Sequence, residues 1–115
     1  MNVKRYEIFQ ANLPTIPGSH VQGGTRPVVI VSNNMANTYS PVITVVPLTT
    51  RLGKKRLPTH VLVLTSGLRS VSLALCEQLI TLDKSRLTHY IGYVSDYDDC
   101  AALDRAMAVQ LGLAA

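Results

Sequence analysis

The chain has 115 residues, of which 47% are apolar, enough for one domain to build a core without disulfide or metal staples. Its net charge of +4 hides an asymmetry: residues 1–95 carry a formal +7 and residues 96–115 carry −3. No apolar run approaches the roughly 18 residues of a membrane span, and a basic body fits an anionic partner, with nucleic acid first and a membrane surface second.

Taken in chain order, Tyr6–Leu13 alternates loosely between apolar and polar and predicts a first strand. Pro14, Pro17, Gly18, Gly23 and Gly24 mark the loop that follows. Val28–Ser32 is a continuous apolar run, predicted as a strand buried on both faces or set in a barrel wall. Asn33–Pro41 has the composition of a turn, and Val42–Leu48 reads as the next strand, with Pro47 near its end as an edge or bulge signal. A basic loop runs from Arg51 to Pro58. His60–Leu64 and Val71–Cys76 are further strands, Asp83–Arg86 is one helical turn, and His89–Val94 is a last short strand.

The tail is the one clear helix. Ser95 or Asp96 caps it, acidic residues crowd its first turn, and Gly112 stops it. Cys100, Leu103, Met107 and Leu111 form an apolar stripe expected to pack on the sheet. Short strands followed by one helix predict a single domain over residues 1–115, a small open barrel carrying a helix. Cys76 and Cys100 show no metal-ligand spacing, and no apolar leader precedes them, so both are expected reduced and in the core of a cytoplasmic protein.

One short connection carries functional weight. If the strands around Val28–Ser32 and Val42–Leu48 pair antiparallel about a turn centred on residue 37, facing positions sum to about 74–76. Arg26 then lies near Thr49 and Thr50, at the sheet edge from which the loop Arg51-Leu52-Gly53-Lys54-Lys55-Arg56 departs. The glycine-rich loop before Arg26 brings Ser19, His20 and Gln22 to the same edge. Arginine offers a planar fork of donors suited to phosphate, and threonine a compact donor and acceptor. Such a cluster suits binding a phosphodiester and stabilising charge on it. There are no paired Cys/His ligands, convergent carboxylates, P-loop, dinucleotide fingerprint or G-x-S-x-G.

The same residues carry a resemblance. Gly18-Ser19, Gly23-Gly24-Thr25-Arg26-Pro27 and Val28–Asn34 come first. Asn37, Ser40-Pro41, Val46-Pro47-Leu48-Thr49 and Leu57–Val61 follow, and then Glu77-Gln78, Thr81, Asp83-Lys84 and Arg86-Leu87. In this order and spacing the chain resembles the MazF/PemK endoribonuclease toxins of type II toxin–antitoxin pairs. The resemblance implies an SH3-like open barrel, mainly β with a C-terminal helix, that forms a homodimer. It implies cleavage of single-stranded RNA, chiefly messenger RNA, without metal or other cofactor. The 2′-hydroxyl attacks the neighbouring phosphorus and leaves a 2′,3′-cyclic phosphate and a 5′-hydroxyl. A MazE-like antitoxin restrains the enzyme.

By the same resemblance Arg26 and Thr49 match the family's catalytic pair. His20 falls where some members carry a histidine near the scissile phosphate, and Glu77 matches an acidic residue that contributes in those members, although their arginine two positions earlier is Leu75 here. Where the family often begins its first strand with Arg-Gly-Asp, this chain has Arg5-Tyr6-Glu7. For His20 two roles stay open, base or base-stacking loop residue; for Glu77 they are orienting the 2′-hydroxyl, accepting from a base edge, or forming a dimer or strand-end salt bridge. Ser19, Gln22, Thr50 and Arg51 sit at the expected RNA edge with Lys54, Lys55 and Arg56, and Gln78 has both a donor and an acceptor for a splayed-out base. His60 reads as structural and His89 as a surface residue. Two rivals remain: a non-catalytic barrel that binds RNA or protein, and a gyrase-poison toxin of the same fold. The latter acts through a tryptophan-bearing C-terminal tip, and this chain has no tryptophan.

Overall fold

The computed structural model describes residues 2–53 and 55–113. Seven strands and two α-helices follow in the order β1 (Glu7–Leu13), β2 (Gly24–Ile30), α1 (Asn34–Tyr39), β3 (Val42–Thr49), β4 (His60–Val63), β5 (Ser72–Leu75), β6 (Ile80–Asp83), β7 (Leu87–Tyr93) and α2 (Tyr97–Gln110). Every strand pairing is antiparallel. The sheet runs β4-β5-β3-β2-β1-β7. The free edge of β3 is shared: its first half, Val42–Val45, pairs with β6, and Leu48 and Thr49 pair with β5. One strand serving two neighbours curls the sheet into an open barrel. No helix is long and apolar enough to cross a membrane among the described residues.

The predicted register holds. Val28, Val29 and Ile30 face Pro47, Val46 and Val45, so every pair sums to 75. Because side chains alternate across a strand, the run from Val28 to Val31 feeds two cores. Val29 and Val31 join Ile8, Val46, Leu48, Val61 and Val63 under α2, which contributes Leu103, Ala106 and Met107. Val28 and Ile30 join Phe9, Ala11, Leu13, Ile43, Val45, Leu82 and Leu87 on the other side. This is why Val28–Val31 reads as unbroken apolar sequence.

Four expectations are corrected. Asn33–Pro41 is not a turn alone: it holds α1, whose N-cap Asn33 accepts from the Ala36 N–H at 2.8 Å. Asn37 is fully buried there, and its amide donates to the Ser32 carbonyl at 2.8 Å. The strand β6 was not expected; it alternates over only four residues and is organised by its pairing with β3. The strands β2 and β7 begin earlier than their apolar runs, at Gly24 and Leu87. Leu111 is not part of the α2 stripe but lies at the C-cap, 59% exposed. The predicted helical turn is a 3₁₀ turn over Lys84–Arg86, capped by Asp83. Asp96 caps α2 by accepting from the N–H groups of Asp98 and Asp99. Cys76 is buried, Cys100 half-buried, and both thiols are free.

Candidate active site

β2 and β3 position the central pair. Continuing their register beyond Val28 and Pro47 sets Arg26 across from Thr49, and both line a cavity of about 450 Å³. Gly24 opens β2 with φ +79, a conformation glycine adopts without steric cost, and this turns the chain from the loop into the strand two residues before Arg26. The Arg26 Nε–H donates to the Gly23 carbonyl oxygen at 3.0 Å. That bond fixes the inner edge of the guanidinium plane. Its two terminal nitrogens make no hydrogen bond or ion pair among the described residues.

Thr49 is held as an acceptor: its Oγ1 takes the Arg51 N–H at 3.2 Å. The hydroxyl proton is thereby left to point elsewhere. Thr50, Arg51 and Gln22 complete one side of the cavity, and no carboxylate of the described residues lines it. Burial, and then the neighbouring Arg51 charge, push the Arg26 pKa below its ordinary value. An anion placed between the two arginines opposes this shift, because an opposite charge favours the protonated guanidinium.

Beyond that cavity the expected residues scatter. His20 and Ser19 ride on the exposed loop over residues 14–23, outside the cavity lining, where the Ser19 Oγ accepts from the Val21 N–H. Lys55 and Arg56 are exposed on the loop after Arg51 and do not reach the lining, and Lys54 lies outside the described residues. Gln78 has an unexpected contact: its Oε1 accepts the Gln22 N–H at 2.7 Å across 56 residues of chain.

Glu77 is not among the residues that line the Arg26 cavity. One carboxylate oxygen accepts from the Thr59 hydroxyl at 3.0 Å, and the other pairs with His60 Nε2 at 3.0 Å. Burial alone raises the Glu77 pKa, but its own backbone N–H, His60 and Thr59 outweigh burial and hold it below the ordinary value. His60 Nδ1 in turn accepts the Leu57 N–H at 3.2 Å. These contacts engage both carboxylate oxygens of Glu77 and both ring nitrogens of His60. Sequence reasoning did not single out Ser72, which lines the cavity from the start of β5. Its position depends on β5 pairing with the far end of β3, a long-range event with no local signature. Among the described residues no group of three or more His, Cys, Asp or Glu side chains is placed to hold a metal ion.

Comparison with known proteins agrees along nearly the whole chain. Residues 4–111 match the model of the PemK-like, MazF-like toxins of type II toxin–antitoxin systems. An endoribonuclease MazF of Staphylococcus saprophyticus is 40% identical over 113 residues, covering 96% of this chain and 92% of the relative. Among solved structures, an endoribonuclease of a mycobacterial species, in complex with its cognate antitoxin, superposes with a TM-score of 0.79 at 28% identity and covers 96% of both chains. MazF of Deinococcus radiodurans shares the fold, with a TM-score of 0.80 at 22% identity over 97% of this chain and 98% of that one.

Proposed function

This chain belongs to the PemK-like, MazF-like toxin family of type II toxin–antitoxin systems, and from that membership we propose that it is an endoribonuclease that cuts single-stranded RNA. The reading makes it a single toxin domain, acting as a homodimer in the cytoplasm and neutralised by a MazE-like antitoxin. The observation that carries the chemistry is the Arg26 guanidinium. It is tethered through Nε, has both terminal nitrogens free among the described residues, and faces a carboxylate-free cavity beside Thr49.

In the reaction the 2′-oxygen attacks the adjacent phosphorus, the bond to the 5′-oxygen breaks, and a 2′,3′-cyclic phosphate and a 5′-hydroxyl result. Charge builds on the non-bridging oxygens of the pentavalent phosphorane. Arg26 supplies two donors to that charge from a fixed plane, and Thr49 supplies a third through its hydroxyl proton. Prearranged donors of this kind need no reorganisation as charge develops. Arg26 also gives a proton to the leaving 5′-oxygen. His20 is the candidate to take the proton of the 2′-hydroxyl; it is exposed on the loop that leads into β2 and Arg26. Glu77 acts through position, fixing the 3₁₀ turn Cys76–Gln78 that presents Gln78 to the same loop. Thr50, Arg51, Lys55 and Arg56 supply phosphate-binding charge and donors along the approach.

The deciding experiment is digestion of a long single-stranded RNA in EDTA by the intact protein and by Arg26→Ala, with the new ends mapped. Cuts at one recurring short motif, with cyclic-phosphate and 5′-hydroxyl ends, lost in the variant, are expected. Cuts that persist in Arg26→Ala remove it from the mechanism.

A further inference from the structure

A second cavity, of about 430 Å³, adjoins the first and shares Pro27, Thr50 and Ser72 with it. Beyond these shared residues it is lined by Gln10 of β1, His89 of β7 and Arg69 of the β4–β5 loop. Gln10 and His89 are register partners across β1 and β7. The two cavities therefore form one continuous groove over the sheet, from Arg51 and Arg26 at one end to Arg69 and His89 at the other.

Two properties make this groove extension a site. Its charge is one-sided: among the described residues the lining of both cavities includes three arginines and a histidine and no carboxylate. Arg69 forms no ion pair among the described residues, whereas Arg5 on another face is paired with Asp104. The loop that carries Arg69 is also docked. A Cβ at Gly67 would collide with the Ile91 carbonyl on β7, so only glycine lets the loop lie this close to the strand. The Leu68 N–H closes that loop on the Thr65 carbonyl at 2.9 Å. Arg69 is thus presented from a short tethered turn.

We propose that the Arg69–His89 end of this groove binds a backbone phosphate of the same RNA strand whose scissile phosphate sits at Arg26. This rests on the endoribonuclease reading. Arg69 supplies the charge, and Gln10 and His89 supply hydrogen-bonding groups to the phosphate and its sugar. The contact positions the strand without reading its sequence, as phosphate contacts do.

The test is a salt titration of binding to a fluorescent single-stranded RNA carrying 2′-O-methyl groups, which lacks the attacking hydroxyl. The intact protein, Arg69→Ala, His89→Ala and the control Arg105→Ala are compared. Cleavage of unmodified RNA by the intact protein is scored separately and reports on the endoribonuclease reading alone. A single-strand phosphate contact adds about 0.7 to the slope of log affinity against log salt. Arg69→Ala is expected to lower that slope by about this amount and to weaken binding to all sequences alike, while Arg105→Ala leaves both unchanged. On unmodified RNA it raises KM in proportion. An unchanged slope in Arg69→Ala overturns the proposal. So does an unchanged RNA titration together with weakened binding of a polyglutamate peptide, which would assign the groove to an acidic protein partner.

Discussion

The Tyr6 hydroxyl lies 2.9 Å from both carboxylate oxygens of Asp104, joining residues 98 apart in the chain. Arg5 stacks over the Tyr6 ring at 5.0 Å and reaches the same carboxylate at 3.0 Å. The cluster clasps the start of β1 to α2. It also accounts for a bulky residue at φ +74, a left-handed conformation that costs a non-glycine residue about 1–2 kcal/mol.

Tyr6→Phe keeps the ring and removes the hydroxyl, so it is expected to cost about 1 kcal/mol at neutral pH, since the bond to a charged acceptor is partly open to water. Burial, and then the bond to Asp104, push the Tyr6 pKa up to about 12 from an ordinary 10.0. A raised pKa favours the neutral form in the folded protein. Its stabilisation is therefore complete below pH 10.0 and is lost as pH rises toward about 12. Thermal unfolding of Tyr6→Phe should lack that alkaline step. Cys76, pushed up to about 12 mainly by burial, adds an alkaline loss in both proteins, so the difference between the two curves isolates Tyr6.

Arg26 and Thr49 are expected to act as a unit. Removing one prearranged donor of this kind typically costs a factor of about 10²–10³ in kcat, and Arg26→Ala should fall in that range. Arg26→Lys keeps the charge but lacks the Nε that donates to Gly23, so its ammonium is not held in place and recovery should be slight. Thr49→Ala should lose about tenfold or more. The double variant should be little worse than Arg26→Ala, because donors serving one transition state are not additive. Single-turnover cleavage rates check all four.

Glu77 offers an acid-side prediction. Its pKa is held below the ordinary 4.5, so its stabilisation is present above that value and is lost as pH falls through the lower, folded one. Glu77→Gln should cost about 1 kcal/mol at neutral pH, the carboxylate being partly exposed, and should flatten the acid limb of a denaturation-versus-pH curve. An acid limb as steep as that of the intact protein would mean that other carboxylates govern acid unfolding.

The part of this site that the amino-acid pattern revealed is the part that depends on a short connection. Arg26 and Thr49 meet because one tight excursion between β2 and β3 fixes their register at a sum of 75, and apolar alternation shows where both strands lie. The excursion's own structure was hidden, because α1 is held by side-chain hydrogen bonds of Asn33 and Asn37, and asparagines equally suggest a turn. β6 and the place of Ser72 were hidden for another reason: each depends on elements far apart in sequence that meet only when β3 divides its edge between two partners. His89 read as a surface residue and Arg69 carried no signal of its own; they meet only where the barrel brings the β4–β5 loop beside β7.

The bond between Gln78 and Gln22 gives the last prediction. Gly23, whose carbonyl holds Arg26, directly follows the residue that Gln78 tethers. Among the described residues the remainder of the loop makes only local bonds, Ser19 N–H to the Ile16 carbonyl and Val21 N–H to the Ser19 Oγ. Gln78→Ala removes the acceptor at 2.7 Å and should loosen residues 19–23 as a group. Since a misplacement of about 1 Å costs up to roughly 10² in rate, cleavage should fall by about tenfold or more on every RNA sequence. The Gln22 amide should exchange with solvent faster by a similar factor, because its protecting bond is gone. The two effects together identify a tether for the catalytic loop. Reading of a base by Gln78 predicts the opposite pattern: a loss confined to RNAs with one particular base, with Gln22 exchange unchanged. Amide exchange measured beside cleavage of two RNAs of different sequence separates the two roles.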